Sequence, residues 1–387
     1  MIGRYLFRKK IYFLLAFILD AIGYPIAFLL RLARVAPASF PKNILLVRLD
    51  HLGDALGASG IPSLIKKQFP QTRVTFLTAS LGAAVLANNP FVDEIIIYDA
   101  PWFSRKKGER DKGIHFAELS RLLRGKGFDA AVVLRGDLRE NFLTWKAGIP
   151  RRVGFGVTGG GFFLNNEIAY RVGVHESEHA IDALRALGLL ETRPANAIYF
   201  SSEEEAAFSK KMEAWGMVEG RWIGFQLDAG ASSKNWPEQN IRLLMKKFAE
   251  RFPQKQMVLV GADGAMSERL MGFAAQEKLA STFLSLAGKT SPRELFFVLK
   301  HLEAFIGPDS GPAHVAASMG VPTLFLYSGT NVFEEWKPLS AAASVLRQAV
   351  ACAPCYRTSC NVSGHPCMAD IQPESVLDWL EQKMGNP

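Results

Sequence analysis

The chain has 387 residues, 49% of them hydrophobic and 21% charged, so it is expected to be mostly globular and long enough for two domains. Its formal net charge of +8 is spread along the chain, apart from a basic cluster at residues 105–110 (Arg105, Lys106, Lys107, Arg110). Aromatic residues do not interleave with the basic ones as in RNA-binding sheets, so the composition argues against nucleic acid and favours phosphate-bearing ligands, an anionic membrane surface or a solvated basic face.

The first forty residues are predicted to form a membrane-associating segment. Residues 11–30 are apolar except for Asp20, and basic residues stand on both sides. Twenty residues match the bilayer thickness, but Asp20, Gly23 and Pro25 argue against a simple span, and the two basic flanks give no orientation. We therefore expect a bent, interfacial or re-entrant segment with both flanks on the cytoplasmic side. A signal peptide cleaved at the Ala-Pro-Ala sequence of 36–38 is the alternative.

Residues 41–195 are predicted to form a first Rossmann-like domain, because buried-strand patterns alternate with helical ones. Strands separated by helices imply a parallel sheet covered on both faces. We expect Pro62 to kink the long helix that contains it. The predicted strands are 43–48, 73–78, 94–98 and 129–134. A turn followed by a helix is predicted over 53–69, further helices are predicted at 80–87, 114–124, 138–147 and 176–187, and a glycine-rich segment lies at 154–161.

Residues 196–370 repeat the alternation and are predicted to form a second Rossmann-like domain, after a linker at 191–196. Two doubly wound halves that face each other place a cleft at the carboxyl ends of their strands. A C-terminal helix is expected within 371–387. The predicted strands are 222–227, 256–261, 282–286, 304–307 and 323–327, and the predicted helices are 203–215, 238–251, 265–278, 292–301, 312–319 and 373–383.

The first candidate site follows the first strand and reads RLDHLGD at residues 48–54. Its glycine spacing does not match a dinucleotide-binding loop. Asp54 lies near the start of the next helix, where its carboxylate is either a cap stabilised by the helix dipole or a general base. Asp50 and His51 are competing candidates for the base.

The second candidate site is the loop after strand 222–227. Ser232 and Ser233 offer backbone and hydroxyl donors, and Lys234 offers a mobile cation that suits a pyrophosphate. A polar loop with a surface lysine is the plainer interpretation. After the next strand, Asp263 is placed either to meet a ribose or to serve as an ordinary turn residue.

The third candidate site lies in residues 303–327, which read as strand, turn, helix and strand. Pro308 to Gly311 is turn chemistry, and Pro312 suits the first helical position. A helix that begins just after a strand exposes unpaired N–H groups, which form an anion site that phosphate commonly occupies. Asp309 would repel a phosphate and is better suited to sugar hydroxyls. An ordinary turn with a capping Asp309 or Ser310 is the alternative.

Three blocks, RLDHLGD (48–54), SKNWP (233–237) and DSGPAHVAASMGVPT (309–323), resemble glycosyltransferase family 9, the ADP-heptose:lipopolysaccharide heptosyltransferases. The resemblance covers roughly residue 43 to the C-terminus. It implies a GT-B fold and an inverting transfer of a heptose or related sugar, without a catalytic metal or other cofactor. The implied donor is a nucleotide diphosphate sugar such as ADP-heptose, and the implied acceptor is the lipopolysaccharide core or another lipid-linked glycan at the cytoplasmic face of the inner membrane.

The resemblance also implies roles for single residues. Asp54 matches the catalytic base and Lys234 the lysine that meets the donor phosphates, with Ser232 and Ser233 beside it in the donor site. Asp309 matches the aspartate near the donor sugar, with Ser310, Gly311 and His314 in the same pocket, and Asp263 matches a ribose contact more loosely. A GT-B sugar-nucleotide epimerase and a non-catalytic membrane scaffold are the alternatives.

Four cysteines, Cys352, Cys355, Cys360 and Cys367, lie within sixteen residues, with His365 close by. Their spacing fits a structural zinc or an iron–sulfur cluster, or two disulfides in an exported protein. Free thiols are equally compatible with a cytoplasmic enzyme. We expect these cysteines to form a local structural unit that is not part of the active site.

Overall fold

The computed structural model describes residues 5–6, 10–31, 39–103, 114–189, 194–217 and 220–384. The basic cluster at 105–110, the Ala-Pro-Ala sequence at 36–38 and the first half of the linker lie outside these residues. The chain divides into two compact units, residues 1–199 and 200–387. Both are doubly wound α/β units, as the alternation of strands and helices predicts.

The N-terminal unit is built on a six-stranded parallel sheet with the strand order β3-β2-β1-β4-β5-β6. The order reverses beside the first strand, so the loops after β1 and β4 leave the same sheet edge in a region where α/β proteins bind ligands. The elements are α1 (Lys10–Arg31), β1 (Asn43–Arg48), α2 (Leu52–Ala58), α3 (Ile61–Gln68), β2 (Arg73–Thr78), α4 (Ser80–Leu86), β3 (Glu94–Ile97), α5 (Phe116–Gly125), β4 (Ala130–Val133), α6 (Leu138–Lys146), β5 (Arg151–Gly154), β6 (Asn166–Glu167) and α7 (Glu176–Arg185).

The interior of strand β1 is apolar because both faces of the sheet are covered. Ile44 to Val47 are fully buried, and they pair in parallel with β2 on one side and β4 on the other. The prediction of a turn followed by one helix over 53–69 is wrong. The structure has two helices, and Pro62 lies in the first turn of α3, where its missing N–H costs no hydrogen bond.

Helix α1 packs on its own unit along one narrow face. Ala16, Asp20 and Gly23 recur at helical spacing and face inward, and the Asp20 carboxylate accepts from Tyr5 Oη at 2.7 Å and from Gly160 N at 2.8 Å. Pro25 lies inside this single helix, so the predicted bend does not interrupt it. Asp20, the charged residue that argued against a membrane-spanning helix, is therefore part of a buried polar contact.

The C-terminal unit has a second six-stranded parallel sheet, with the order β12-β11-β10-β7-β8-β9. Here the order reverses beside β7, whose neighbours are β10 and β8. The edge strand β12 was not predicted from the sequence. The elements are α8 (Ser202–Ala214), β7 (Trp222–Gln226), α9 (Glu238–Arg251), β8 (Gln256–Val260), α10 (Gly264–Gln276), β9 (Phe283–Ser285), α11 (Pro292–Lys300), β10 (Ala304–Pro308), α12 (Gly311–Ser318), β11 (Thr323–Tyr327), α13 (Phe333–Trp336), β12 (Ala343–Arg347), α14 (Pro366–Ala369) and α15 (Pro373–Met384).

The last helix, α15, belongs to the core of the C-terminal unit. Val376, Leu377 and Leu380 are buried in one cluster with side chains of β7, β8 and α9. Burial of this apolar face fixes helix α15 on the unit that carries the second and third candidate sites.

Candidate catalytic and donor-binding sites

In the N-terminal unit, Asp54 lies in a buried cluster of charged side chains that Arg48 organises. Arg48 is the last residue of β1 and is 4% exposed. Its Nε donates to Asp50 Oδ1 at 2.8 Å, and its Nη2 donates to Asp54 Oδ1 at 2.9 Å and reaches Glu176 Oε1 at 3.4 Å. One guanidinium therefore holds three carboxylates in a fixed arrangement, a geometry that arginine suits better than lysine.

Asp54 occupies the first turn of α2, and its second oxygen accepts from the backbone N–H of His51 at 3.3 Å. Burial raises the pKa of Asp54, and the neighbouring charge of Asp50 raises it further, while Arg48 and Arg135 partly offset both effects. A carboxylate whose pKa is raised is a stronger base, which suits the removal of a proton from a hydroxyl group.

Asp50 has the opposite environment. Its side chain is fully buried, and Arg135 Nη1 donates to its second oxygen at 2.6 Å. Burial alone would raise the pKa of Asp50, but the charges of Arg48 and Arg135 outweigh it and lower the pKa. Neighbouring carboxylates with pKa values pushed apart divide their roles, so Asp54 is the better candidate base and Asp50 orients the arginines. His51 is exposed and stays a competing prediction.

In the C-terminal unit, Lys234 and Asp309 form an ion pair at the carboxyl ends of β7 and β10. Lys234 Nζ donates to the Asp309 side chain at 2.7 Å and to its backbone carbonyl at 3.0 Å. The structure therefore brings the predicted phosphate-binding lysine and the predicted sugar-binding aspartate together. An ammonium has three donors, and Asp309 takes two of them, so with respect to the part of the chain that the structure describes one donor is left for an incoming ligand oxygen.

The Asp309 carboxylate is held by two further side chains. His314 Nε2 lies 3.1 Å from Oδ1, and Asn331 Nδ2 lies 3.4 Å from Oδ2. Burial alone would raise the pKa of Asp309, but the hydrogen bond from His314 and the charge of Lys234 lower it to about 2. Asp309 is therefore anionic at neutral pH and can accept hydrogen bonds from hydroxyl groups. Asn331 was not identified from the sequence, because no local pattern marks it.

Ser310 and Gly311 begin helix α12 directly after β10. The Ser310 hydroxyl donates to Gln226 Oε1 at 2.8 Å and makes no capping hydrogen bond to the helix. The first-turn N–H groups of Gly311 and Ala313 have no acceptor inside the helix, so their partial positive charge faces the strand end. Gln226 ends β7 and was missed at the sequence level, although a polar residue closing an apolar strand is a usable signal.

Asp263 has a structural role in this unit. Its Oδ1 accepts from Met266 N at 2.9 Å and caps helix α10. The neighbouring turn is held by Asp228, whose Oδ1 accepts from Ala262 N at 2.8 Å. The structure thus shows the turn role that the sequence offered as the plainer interpretation, and the ribose contact stays a prediction.

Ser232 and Ser233 contact the cysteine-rich segment, residues 352–367. The Ser232 hydroxyl donates to Thr358 O at 3.2 Å, and the Ser233 hydroxyl donates to Arg357 O at 2.5 Å. The segment that carries the cysteines therefore touches the residues just before Lys234, and the expectation that the cysteines form a structural unit outside the active site stays a prediction. Direct contact of the two serines with a donor stays a prediction.

The four cysteines line one cavity of about 330 Å³, together with Ser233 and His365. All four are free thiols, and Cys367 is buried. Within the ranges that the structure describes, no group of three or more His, Cys, Asp or Glu side chains is arranged to hold a metal ion. These observations give no support to the zinc or iron–sulfur alternative, nor to the disulfide alternative.

Comparison with known proteins shows the family. Residues 116–365 match the model of glycosyltransferase family 9 (heptosyltransferase). The lipopolysaccharide core heptosyltransferase OpsX of Haemophilus influenzae is 24% identical over 75% of this chain and 80% of its own length. The solved Escherichia coli ADP-heptose lipopolysaccharide heptosyltransferase II has a TM-score of 0.71 and 22% identity over 88% of this chain and 98% of that one.

A second solved structure, E. coli heptosyltransferase WaaC with ADP-2-deoxy-2-fluoro heptose, has a TM-score of 0.66 and 18% identity over 88% of this chain and 99% of that one. These likenesses confirm the predicted fold class of two Rossmann-like halves. The family model covers more than half of the chain, which confirms the resemblance seen in the three sequence blocks. The chain therefore belongs to glycosyltransferase family 9, the heptosyltransferase family, and is a glycosyltransferase.

Proposed function

We propose that this protein transfers a heptose from ADP-heptose to the lipopolysaccharide core or another lipid-linked glycan, with inversion at the anomeric carbon. The observation that carries the proposal is the pair of Lys234 and Asp309 beside the first turn of α12. The relative OpsX is named a lipopolysaccharide core heptosyltransferase, and WaaC was solved with an ADP-heptose analogue, which supports the acceptor and the donor.

The donor half of the proposal uses three groups of the C-terminal unit. The remaining N–H of Lys234 and the first-turn N–H groups of α12 bind the diphosphate, whose negative charge grows as it leaves. The Asp309 carboxylate, kept anionic by Lys234 and His314, accepts hydrogen bonds from hydroxyls of the sugar. Because these residues supply the positive charge, no step of the proposed mechanism runs through a metal ion or another cofactor.

The acceptor half of the proposal assigns the base to the N-terminal unit. The acceptor hydroxyl oxygen attacks the anomeric carbon on the face opposite the diphosphate and gives its proton to Asp54. The new glycosidic C–O bond forms as the C–O bond to the diphosphate breaks, and ADP leaves with the electron pair. One carboxylate is sufficient for this single displacement, which inverts the configuration.

The two alternative functions, an epimerase and a scaffold, differ from a transferase in what they produce. An epimerase needs a second acid–base pair and releases an altered nucleotide sugar, and a scaffold produces nothing. Membership of a transferase family favours transfer over both. The identity of the product therefore separates the three functions directly.

The test is an assay of the purified full-length protein with ADP-heptose and a lipopolysaccharide acceptor from cells that lack this gene. We expect mass spectrometry to show one added heptose for each ADP released, and NMR to show an inverted anomeric configuration. Altered ADP-heptose without a glycosylated product would support an epimerase. Strict use of a nucleotide sugar other than ADP-heptose would overturn the donor assignment while leaving the transferase function intact.

We further propose that α1 holds the protein against the cytoplasmic face of the inner membrane by lying in the membrane interface. By length and composition alone, α1 qualifies as a membrane-crossing helix among the described residues. Its inward face is fixed on the unit through Asp20 and through Tyr24, whose hydroxyl donates to Glu167 at 2.6 Å. The outward face is apolar and exposed, at Ile11, Leu14, Leu15, Ile18, Ile22, Ile26 and Leu29 among others.

A helix that crossed the bilayer would move Asp20 into hydrocarbon and break its contacts with Tyr5 and Gly160, which is costly. An in-plane helix keeps these contacts and buries only the apolar face. The variant Ile18→Lys should lower binding to vesicles of anionic phospholipid without loss of folding. Val172→Lys, which charges an exposed apolar site elsewhere on the same unit, is the matched control. Unchanged vesicle binding of Ile18→Lys would contradict the proposal.

A further inference from the structure

The cysteine-rich segment forms hydrogen bonds with Ser233, the residue that precedes Lys234, at its N–H, its hydroxyl and its carbonyl. Ser233 N donates to Thr358 O at 3.2 Å, and the Ser233 hydroxyl donates to Arg357 O. On the other side, His365 Nε2 lies 2.9 Å from Ser233 O, and since a carbonyl only accepts, the ring nitrogen is the donor. The segment thus satisfies the N–H, the hydroxyl and the carbonyl of one buried residue.

The same segment also holds the loop after β11. Cys355 N donates to Gly329 O at 2.9 Å, and Tyr356 N donates to Thr330 O at 2.8 Å. The next residue, Asn331, reaches the Asp309 carboxylate at 3.4 Å. Residues 355–358 therefore bridge two loops at the ion pair of Lys234 and Asp309. One loop carries Lys234, and the other carries Asn331, which contacts Asp309.

The backbone of the segment is strained at two of these contact points. Tyr356 has a φ of 54° and His365 a φ of 47°, both in the left-handed region that non-glycine residues rarely occupy. Such conformations persist where the surroundings fix them, and they concentrate at functional sites. Both strained residues contact one of the two loops, Tyr356 through Thr330 and His365 through Ser233.

We propose that the cysteine-rich segment is a positioning element for the donor site, and that His365 is the positioning residue that sets the direction of Lys234. The inference rests on the proposed role of Lys234 in binding the diphosphate. Lys234 follows Ser233 directly, so the path of its side chain is set by the peptide that His365 and the carbonyls of 357–358 hold. In this proposal Ser232 and Ser233 hold the loop that carries Lys234, and Lys234 itself contacts the donor.

A lysine side chain without such support samples many rotamers, and ordering it on binding weakens the affinity for a ligand. A fixed Ser233 peptide, together with the two contacts of Lys234 to Asp309, orders the side chain before the donor arrives. Ser233 also lines the cavity that the four thiols line. The cysteines therefore belong to the support of the lysine loop and need not touch the donor.

The test measures ADP affinity by calorimetry in His365→Leu and His365→Gln, each with and without Lys234→Ala. His365→Leu removes the donor to Ser233 O and should weaken ADP binding about tenfold, the effect of one lost hydrogen bond in a charged site. His365→Gln keeps an N–H at similar reach and should restore most of the affinity. In the Lys234→Ala background, His365→Leu should have no further effect, because the lysine it positions is gone.

The matched control is His301→Leu. His301 Nδ1 makes a similar contact, 2.8 Å from Phe297 O at the end of α11 in the same unit. Its loss should change the melting temperature and leave ADP affinity unchanged. Equal weakening by His365→Leu in both backgrounds, or none in either, overturns the positioning role. Unchanged ADP affinity in Lys234→Ala instead overturns the proposed function of the lysine, so the two failures are distinguishable.

Discussion

The Asp54 carboxylate lies 2.9 Å from Nη2 of Arg48, the residue that ends the central strand of its sheet. The same guanidinium binds Asp50 through Nε, so the two carboxylates share one cation at different depths of burial. Asp50 has both oxygens on arginines and a lowered pKa, whereas the pKa of Asp54 is raised. This asymmetry favours Asp54 over Asp50 as the base within the motif RLDHLGD.

We predict that Asp54→Asn lowers turnover by about 10²–10⁴-fold, the usual effect of losing a general base. Asparagine keeps the size of the side chain and one acceptor oxygen, for Arg48 or for the helix terminus, but cannot take the proton. Single-turnover kinetics should show the loss, and calorimetry should show nearly unchanged ADP affinity. Asp50→Asn serves as the contrast, because it should lower the free energy of unfolding through Arg48 and Arg135. Transfer by Asp54→Asn at the wild-type rate would move the base to Asp50 or His51.

Lys234→Ala is predicted to weaken donor binding and turnover together. The lost charge contacts the diphosphate before and during its departure, so both parameters fall. ADP affinity should drop roughly ten- to a hundredfold, the value of a hydrogen bond to a charged group. Lys246→Ala, which removes a half-exposed lysine paired with Glu277 in the same unit, is the control and should bind ADP normally. A Lys234→Ala variant with normal ADP affinity would separate the lysine from the phosphates.

The parts of the fold that sequence patterns predicted are those that local chemistry determines. The strands Asn43–Arg48 and Thr323–Tyr327 have the predicted bounds, because burial on both faces requires continuous apolar runs. Strands β5, β6 and β12 were missed, since β5 has four residues and begins with two arginines, β6 has only two residues and β12 is half-buried at a sheet edge. Short or edge strands carry little periodic signal.

The candidate sites likewise contain features that the sequence predicts and features that it does not. The positions of Asp54, Lys234 and Asp309 after strands follow from the alternation of elements, and the structure places each of them there. Contacts between segments that are distant in the sequence could not be predicted. Glu176 contacts Arg48 at a sequence separation of 128 residues, and Arg357 contacts Ser233 at a separation of 124 residues. Nothing in local sequence encodes such pairings, so the link between the cysteine-rich segment and the lysine loop emerged only from the tertiary structure.

Asp309 is predicted to make the stability of the C-terminal unit sensitive to acid. Its pKa is about 2 in the folded protein against an ordinary 3.8, so the unfolded state binds its proton first as the pH falls. The stabilisation is present above pH 3.8 and is lost as the pH falls through 2, and it amounts to about 2 kcal/mol. Urea unfolding of wild type and Asp309→Asn between pH 2 and pH 6 measures it. A wild-type-minus-variant difference that does not change with pH would contradict the assignment.

Glu140 is predicted to destabilise the N-terminal unit as the pH rises. It is 0% exposed on α6, and neither carboxylate oxygen has a hydrogen-bond partner among the described residues. Burial raises the pKa of Glu140 well above 4.5, and Asp137 and Asp50 raise it further, while Arg135 and Arg48 partly offset them. The folded state therefore holds a proton that the unfolded state releases above pH 4.5, so the stability contribution is complete below that pH and declines above it.

Glu140→Gln mimics the protonated acid and cannot ionise, so its free energy of unfolding should exceed that of the wild type by an amount that grows from pH 4.5 to pH 8. Each unit of pKa shift corresponds to about 1.4 kcal/mol in this difference. Glu118→Gln, at an exposed position of α5, should show no such growth. Denaturant titrations of the three proteins across this range measure the effect. If Glu140→Gln loses stability relative to the wild type as the pH rises, the residue is ionised in the folded protein and the arginines dominate its environment.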